Sequence, residues 1–135
     1  MQNLIVWADI PATDLDRAMA FYGAVLQRPF VKVEGMEGIA LPGPDEDAPA
    51  GDAAEQQMPV AFDLFVGEQA RPSEDGSTIY LESNGDAQGM LQRAADAGGE
   101  ILMPATFMGD MVGTMGFFRD SEGNRVGVHQ NGPLT

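Results

Sequence analysis

The chain has 135 residues, 21 acidic against 7 basic, for a net charge of −14, and no cysteine. That length suits one domain able to bury a core without disulfides or metals. The missing thiols exclude disulfides, cysteine nucleophiles, zinc–thiolate sites and iron–sulfur clusters, and the charge opposes binding to a phosphate polyanion.

No apolar run approaches the roughly 18 residues that cross a bilayer. The first eight residues lack a basic start and run straight into Asp9, unlike a signal peptide. A cytoplasmic protein without membrane or nucleic-acid partners is expected. The acidity has two readings: a groove that attracts a cation, or a solubility trait of the host. The second is preferred because the acids are spread over the whole chain.

In chain order, Asn3 to Ile10 reads as a strand, rich in β-branched and aromatic residues and stopped by Pro11. Thr13 offers a helix N-cap, with Asp16 three residues on in the manner of a capping box. Leu15, Ala18, Met19, Tyr22, Val25 and Leu26 then form one helical face. Strands are predicted at Phe30 to Glu34, Gly38 to Leu41 and Val60 to Val66, with an exposed loop from Pro42 to Gln57. After a polar linker, Thr78 to Glu82 reads as a strand. Ala87, Met90, Leu91, Ala94 and Ala97 make a second helical stripe closed by Gly98-Gly99. Short strands are predicted at Ile101 to Met103, Gly116 to Arg119 and Arg125 to His129. The last two are joined by the turn Asp120-Ser121-Glu122-Gly123-Asn124.

The order βαβββ thus occurs twice, and the helix starts Asp14 and Asp86 lie 72 residues apart, about half the chain. A duplicated module explains this. The predicted fold is α+β: two βαβββ modules, residues 1–67 and 76–130, with curved mixed sheets around a cavity. Each module is small, so the two should pack together or swap with a second chain, and a homodimer is expected.

Three stretches carry a family resemblance: Asp14 to Tyr22 with Val25-Leu26, Ala97-Gly98-Gly99 before a strand, and Phe117 to Val126. With these the chain resembles the vicinal oxygen chelate superfamily, which includes glyoxalase I, extradiol dioxygenases and bleomycin-resistance proteins. The resemblance implies paired modules around a cavity, with metal ligands, in metal-using members, on the inner strand faces. The first-strand ligand position falls on Trp7, the position opening the second half near Thr78, and the last-strand position on Gly127. None is a usual metal ligand. The residues themselves agree, since a two-histidine, one-carboxylate iron site needs two imidazoles and the chain has one histidine. No metal and no other cofactor is expected, although an oxygen-only site for magnesium or calcium stays open.

Candidate ligand-binding residues are Trp7, Asp63, Thr78, Tyr80, Glu82, Met111, Phe117 and His129. Trp7 suits a pocket wall, or a core position where a metal would have been. Thr78, Tyr80 and Glu82 alternate onto one strand face and could offer a hydroxyl, a phenol and a carboxylate. Glu82, if buried, could act as a base; exposure at the strand end is its plainer reading. Asp63 lies mid-strand, with outward exposure as its plain reading. His129 shares a face with Gly127, or is an exposed residue near the chain end. Met108, Met111 and Met115, interleaved with Gly109 and Gly113, suit an adaptable lid or a dimer arm.

The leading expectation is metal-independent binding of a small apolar or aromatic molecule. The alternative is a glyoxalase-type lyase or isomerase using Glu82 or Asp63 with an atypical metal, which a converging carboxylate pair would favour. A third reading is a regulatory module with a filled core and no pocket.

Overall fold

The computed structural model describes residues 4–43 and 61–134. The expected loop over Pro42 to Gln57 lies almost wholly outside the described residues, as does the start of the strand expected from Val60. The elements run β1 (Trp7–Pro11), α1 (Leu15–Leu26), β2 (Phe30–Lys32), β3 (Ile39–Pro42), β4 (Ala61–Phe65), β5 (Tyr80–Glu82), α2 (Ala87–Asp96), β6 (Glu100–Phe107), β7 (Thr114–Arg119) and β8 (Arg125–Gln130). They form two four-stranded mixed sheets of matching topology, ordered β1-β4-β3-β2 and β5-β8-β7-β6. In each, the first strand pairs parallel to the last, and the other pairings are antiparallel. The α+β fold of two βαβββ modules is therefore the architecture.

The helices form as the apolar spacing requires, and both are capped by aspartate. Asp14 accepts the Arg17 N–H at 3.0 Å, and Asp86 accepts the Gly89 N–H at 3.0 Å. The expected Thr13 cap is thus corrected by one residue. The backbone N–H groups of Thr13 and Asp14 instead donate to Glu122 Oε1, at 2.8 and 2.9 Å, from the turn between β7 and β8. An acid 108 positions along the chain from Asp14 does what a capping-box acid would have done locally.

Several strand boundaries also differ from the sequence reading, and two of the differences fall at prolines. Pro11 does not stop β1 but ends it from within, which an edge strand tolerates because its outer N–H needs no partner. The short strand expected at Ile101 to Met103 extends through Pro104 to Phe107. That is again an edge strand, with register shifts between Ile101 and Thr106 where the proline would interrupt regular pairing. The expected lid from Pro104 to Met115 therefore shrinks to the β6–β7 connection at 108–113.

Both modules share one core. Ala18, Phe21, Tyr22 and Val25 of α1 are buried, and so are Met90, Leu91 and Ala94 of α2, against Ile10, Phe62, Leu64, Phe118, Val126 and Val128 from the sheets. Tyr22 packs edge-on to Phe62 of the first sheet at 5.9 Å and also touches Phe118 of the second at 6.4 Å, between ring centroids. Burying each such ring stabilises the fold by about 2–3 kcal/mol. The Tyr22 hydroxyl donates to Asp120 Oδ2 at 2.5 Å. Burial, the Asp120 charge and this hydrogen bond together push the phenol well above its ordinary pKa.

With Ile10, Phe62 and Leu64 turned to the helices, strand alternation sends Trp7, Asp9 and Asp63 to the opposite face of the first sheet. By the same rule Val126 and Val128 face α2, while Arg125, Gly127 and His129 share the outer face of the second sheet.

Candidate functional site

An open cavity of about 870 Å³ lies where the edge strands β1 and β5 face each other. Trp7 and Ala8 line one side, Thr78 to Asn84 the other, and Phe62, Met90, Arg28 and Arg93 contribute from β4, α2 and the chain after α1. A volume of this size suits a drug-sized molecule.

Four of the eight expected residues line this cavity: Trp7, Thr78, Tyr80 and Glu82. Two others sit against them. Phe117 packs on Tyr80 with ring centroids 5.8 Å apart, and Asp63 accepts the Trp7 indole N–H through Oδ2 at 3.1 Å. His129 stands opposite Glu82 in the β5–β8 register, its Nε2 2.6 Å from the Val112 carbonyl oxygen. Met111 is fully exposed at the tip of the β6–β7 connection and does not line the cavity.

Asp63 is the main departure. It does lie on the outer face of its sheet, yet it is only 7% exposed, because the Trp7 indole covers it. Its Oδ1 is buried with no hydrogen-bond partner among the described residues. Asp9 is its register partner on the same face. Burial pushes the Asp63 carboxyl up to about 6, against the Trp7 hydrogen bond, which lowers it. The neighbouring Asp9 raises it further.

The residue that sequence reasoning missed is Arg125. Its Nη2 donates to Thr78 Oγ1 at 2.7 Å, and its guanidinium carbon lies 5.4 Å from the centroid of the Phe117 ring. Strand alternation with Gly127 could have pointed to it, since both share the outer face. Gly127 itself has a clear role: the Tyr80 ring lies over it, where a β-carbon would collide. Tyr80, Phe117 and Arg125 thus form a continuous aromatic and cationic shelf beside the cavity.

The residues at the metal-ligand positions do not fit a metal. The Trp7 indole offers only an N–H, which Asp63 takes. Thr78 Oγ1 is engaged by Arg125, and the Tyr80 ring covers Gly127. Among the described residues, no three His, Asp or Glu side chains gather closely enough to hold an ion.

Solved structures share this architecture over almost the whole chain. A glyoxalase/bleomycin resistance protein from Albidiferax ferrireducens T118 is 20% identical, with a TM-score of 0.67 over 95% of this chain and 99% of that one. A glyoxalase/bleomycin resistance protein/dioxygenase family enzyme from Burkholderia phytofirmans PsJN is 9% identical, with a TM-score of 0.64 over 96% and 98%. A glyoxalase-related enzyme from Fulvimarina pelagi is 16% identical, with a TM-score of 0.62 over 95% and 87%. At these identities the likeness shows the fold alone. No curated protein matches the chain. The family model for the Glyoxalase/Bleomycin resistance protein/Dioxygenase superfamily matches residues 4–128, and the chain belongs to that superfamily.

Proposed function

We propose that this protein binds a small, largely apolar or aromatic molecule without a metal, in the cavity between β1 and β5. The observation that carries this is the pairing of that open cavity with ring surfaces on both sides, Trp7 on one and Tyr80 on the other. Tyr80 leaves 44% of its surface uncovered. An exposed ring beside a cavity offers a flat apolar surface at little entropic cost, which suits stacking of a planar ligand. Trp7 is the chain's one tryptophan, so its fluorescence reports on the cavity directly. Titrating a set of neutral planar compounds should give saturable quenching by at least one, with Kd in the micromolar range. Strictly linear, collisional quenching by all of them would sink the proposal.

A second reading has one observation in its favour. The Asp9–Asp63 pair with its raised carboxyl suits proton abstraction by a glyoxalase-type lyase or isomerase. Asp63 lies beneath Trp7 and does not line the cavity, so binding is the leading reading. Solvent deuterium entering the α-carbon of a bound aryl ketone, and ceasing to do so in Asp63→Asn, would reverse that order.

We further propose a cytoplasmic homodimer. Leu4, Ile5, Val6, Val31 and Phe107 are exposed apolar residues that a second copy could cover. Light scattering at micromolar concentration should give twice 14.4 kDa; the monomer mass would contradict it. Among the described residues no helix is long and apolar enough to cross a membrane.

A further inference from the structure

We infer that the molecule bound on the Tyr80 shelf is a planar aromatic carboxylate, and that Arg125 is the residue selecting for its charge. This rests on the binding reading above and names the ligand class for that site.

Acids outnumber bases three to one in this chain, 21 against 7, so every arginine has carboxylates to choose from. Arg17, Lys32, Arg93 and Arg119 each lie within 4.0 Å of one. Arg28, Arg71 and Arg125 do not, among the described residues; of these three, Arg125 is the one that lies over an aromatic ring. Its contacts are a neutral hydroxyl, Thr78 Oγ1, and an aromatic face, Phe117. Its Nε is buried with no acceptor. A guanidinium partly removed from water and given no anion is costly to hold, and one fixed on two sides is pre-organised to meet a carboxylate through its remaining N–H edge.

The surroundings define the rest of the ligand. Tyr80 and Phe117, on the same sheet face as Arg125, supply the ring surface, and Thr78 ties the guanidinium to the cavity wall. Arg125 also lines a smaller recess of about 220 Å³ with Arg71 and Ser77, whose side chains could donate to an anionic group. Asp9 and Asp75 line that recess too, and they oppose an anion without pairing with Arg125. The overall charge of −14 also repels an anion at long range, but screening confines that effect to about 8 Å in physiological salt. Direct contact with Arg125 acts at shorter range than this.

The test is calorimetric titration of the intact protein with three probes of one shape: 4-nitrobenzoate, 4-nitrobenzyl alcohol and 4-nitrobenzylammonium. The expected order is carboxylate, then alcohol, then ammonium, with the carboxylate bound roughly tenfold or more tighter than the alcohol. Arg125→Gln should bring those two within about threefold, and Arg125→Lys, which keeps the charge but loses the planar N–H edge, should keep only part of the preference. Equal binding of carboxylate and alcohol by the unmodified protein would overturn the inference while leaving the aromatic site intact. So would a preference that survives Arg125→Gln. If none of the three probes binds, the binding reading falls together with the inference. Should Arg125→Gln not fold, Arg125→Met takes its place as the uncharged variant, with the same expected loss of preference.

Discussion

Asp63 carries the sharpest consequence at the scale of a single residue. Its carboxyl titrates near 6 in the folded protein and near 3.9 in an unfolded chain. The raised value means that the folded state favours the protonated form. The resulting stabilisation is complete below about pH 4 and is lost as pH rises through 6. Asp63→Asn keeps an oxygen for the Trp7 indole N–H while removing the charge. Its melting temperature should exceed that of the unmodified protein by several degrees at pH 8 and equal it at pH 4. That corresponds to about 1–2 kcal/mol. A constant offset across that range would mean that Asp63 does not titrate as described.

At the scale of elements, close approaches fix how the strands meet. In Gly127→Ala the new methyl would meet the Tyr80 ring, lifting it from β8 and costing about 1–3 kcal/mol. Thermal unfolding should show that loss, and aromatic ligand affinity should fall with it. A second tie joins α1 to the β7–β8 turn. Burial alone would raise the Glu122 carboxyl. Hydrogen bonds from Arg17, from the Asp14 and Thr13 N–H groups and from Ser121 overcome this and hold it at about 2. Because that value is depressed, the stabilisation is present above about pH 4.5 and is lost as pH falls towards 2. Glu122→Gln should therefore melt lower at pH 7 and converge with the unmodified protein near pH 2. Parallel melting curves at all pH values would contradict this tie.

Both helices, both module orders and the Asp120 to Asn124 turn were legible in the sequence, because 3.6-residue spacing, caps and turn chemistry are local signals. The extent of β6 was not, since tolerance of Pro104 depends on lying at a sheet edge, which pairing decides. The Thr13 reading failed for a related reason: Glu122 arrives from the far end of the chain. In the site, alternation pointed to Thr78, Tyr80 and Glu82, and the whole run from Thr78 to Asn84 lines the cavity. It could not show that Trp7 would cover Asp63, or that Arg125 would lie on Phe117, because both depend on contacts between strands.

For the whole molecule, charge and fold pull in opposite directions. A net charge of −14 on a 14.4 kDa chain favours solubility and burdens the compact state with self-repulsion. Added salt should screen that repulsion, so raising sodium chloride from about 10 mM to 0.5 M, where the Debye length falls from about 30 Å to a few ångströms, should increase the melting temperature by several degrees. An unchanged or falling value would mean that paired charges, such as Arg17 with Glu122, outweigh the excess.

Whether the space between β1 and β5 receives a ligand is most directly tested by nuclear magnetic resonance of the ¹⁵N-labelled protein titrated with 4-nitrobenzoate and 4-nitrobenzyl alcohol. The Trp7 indole N–H and the amides of Thr78 to Glu82 should shift together along one saturable curve, while the amides of 108–113 stay still. Absence of any saturable shift, or shifts confined to 108–113, would contradict binding there.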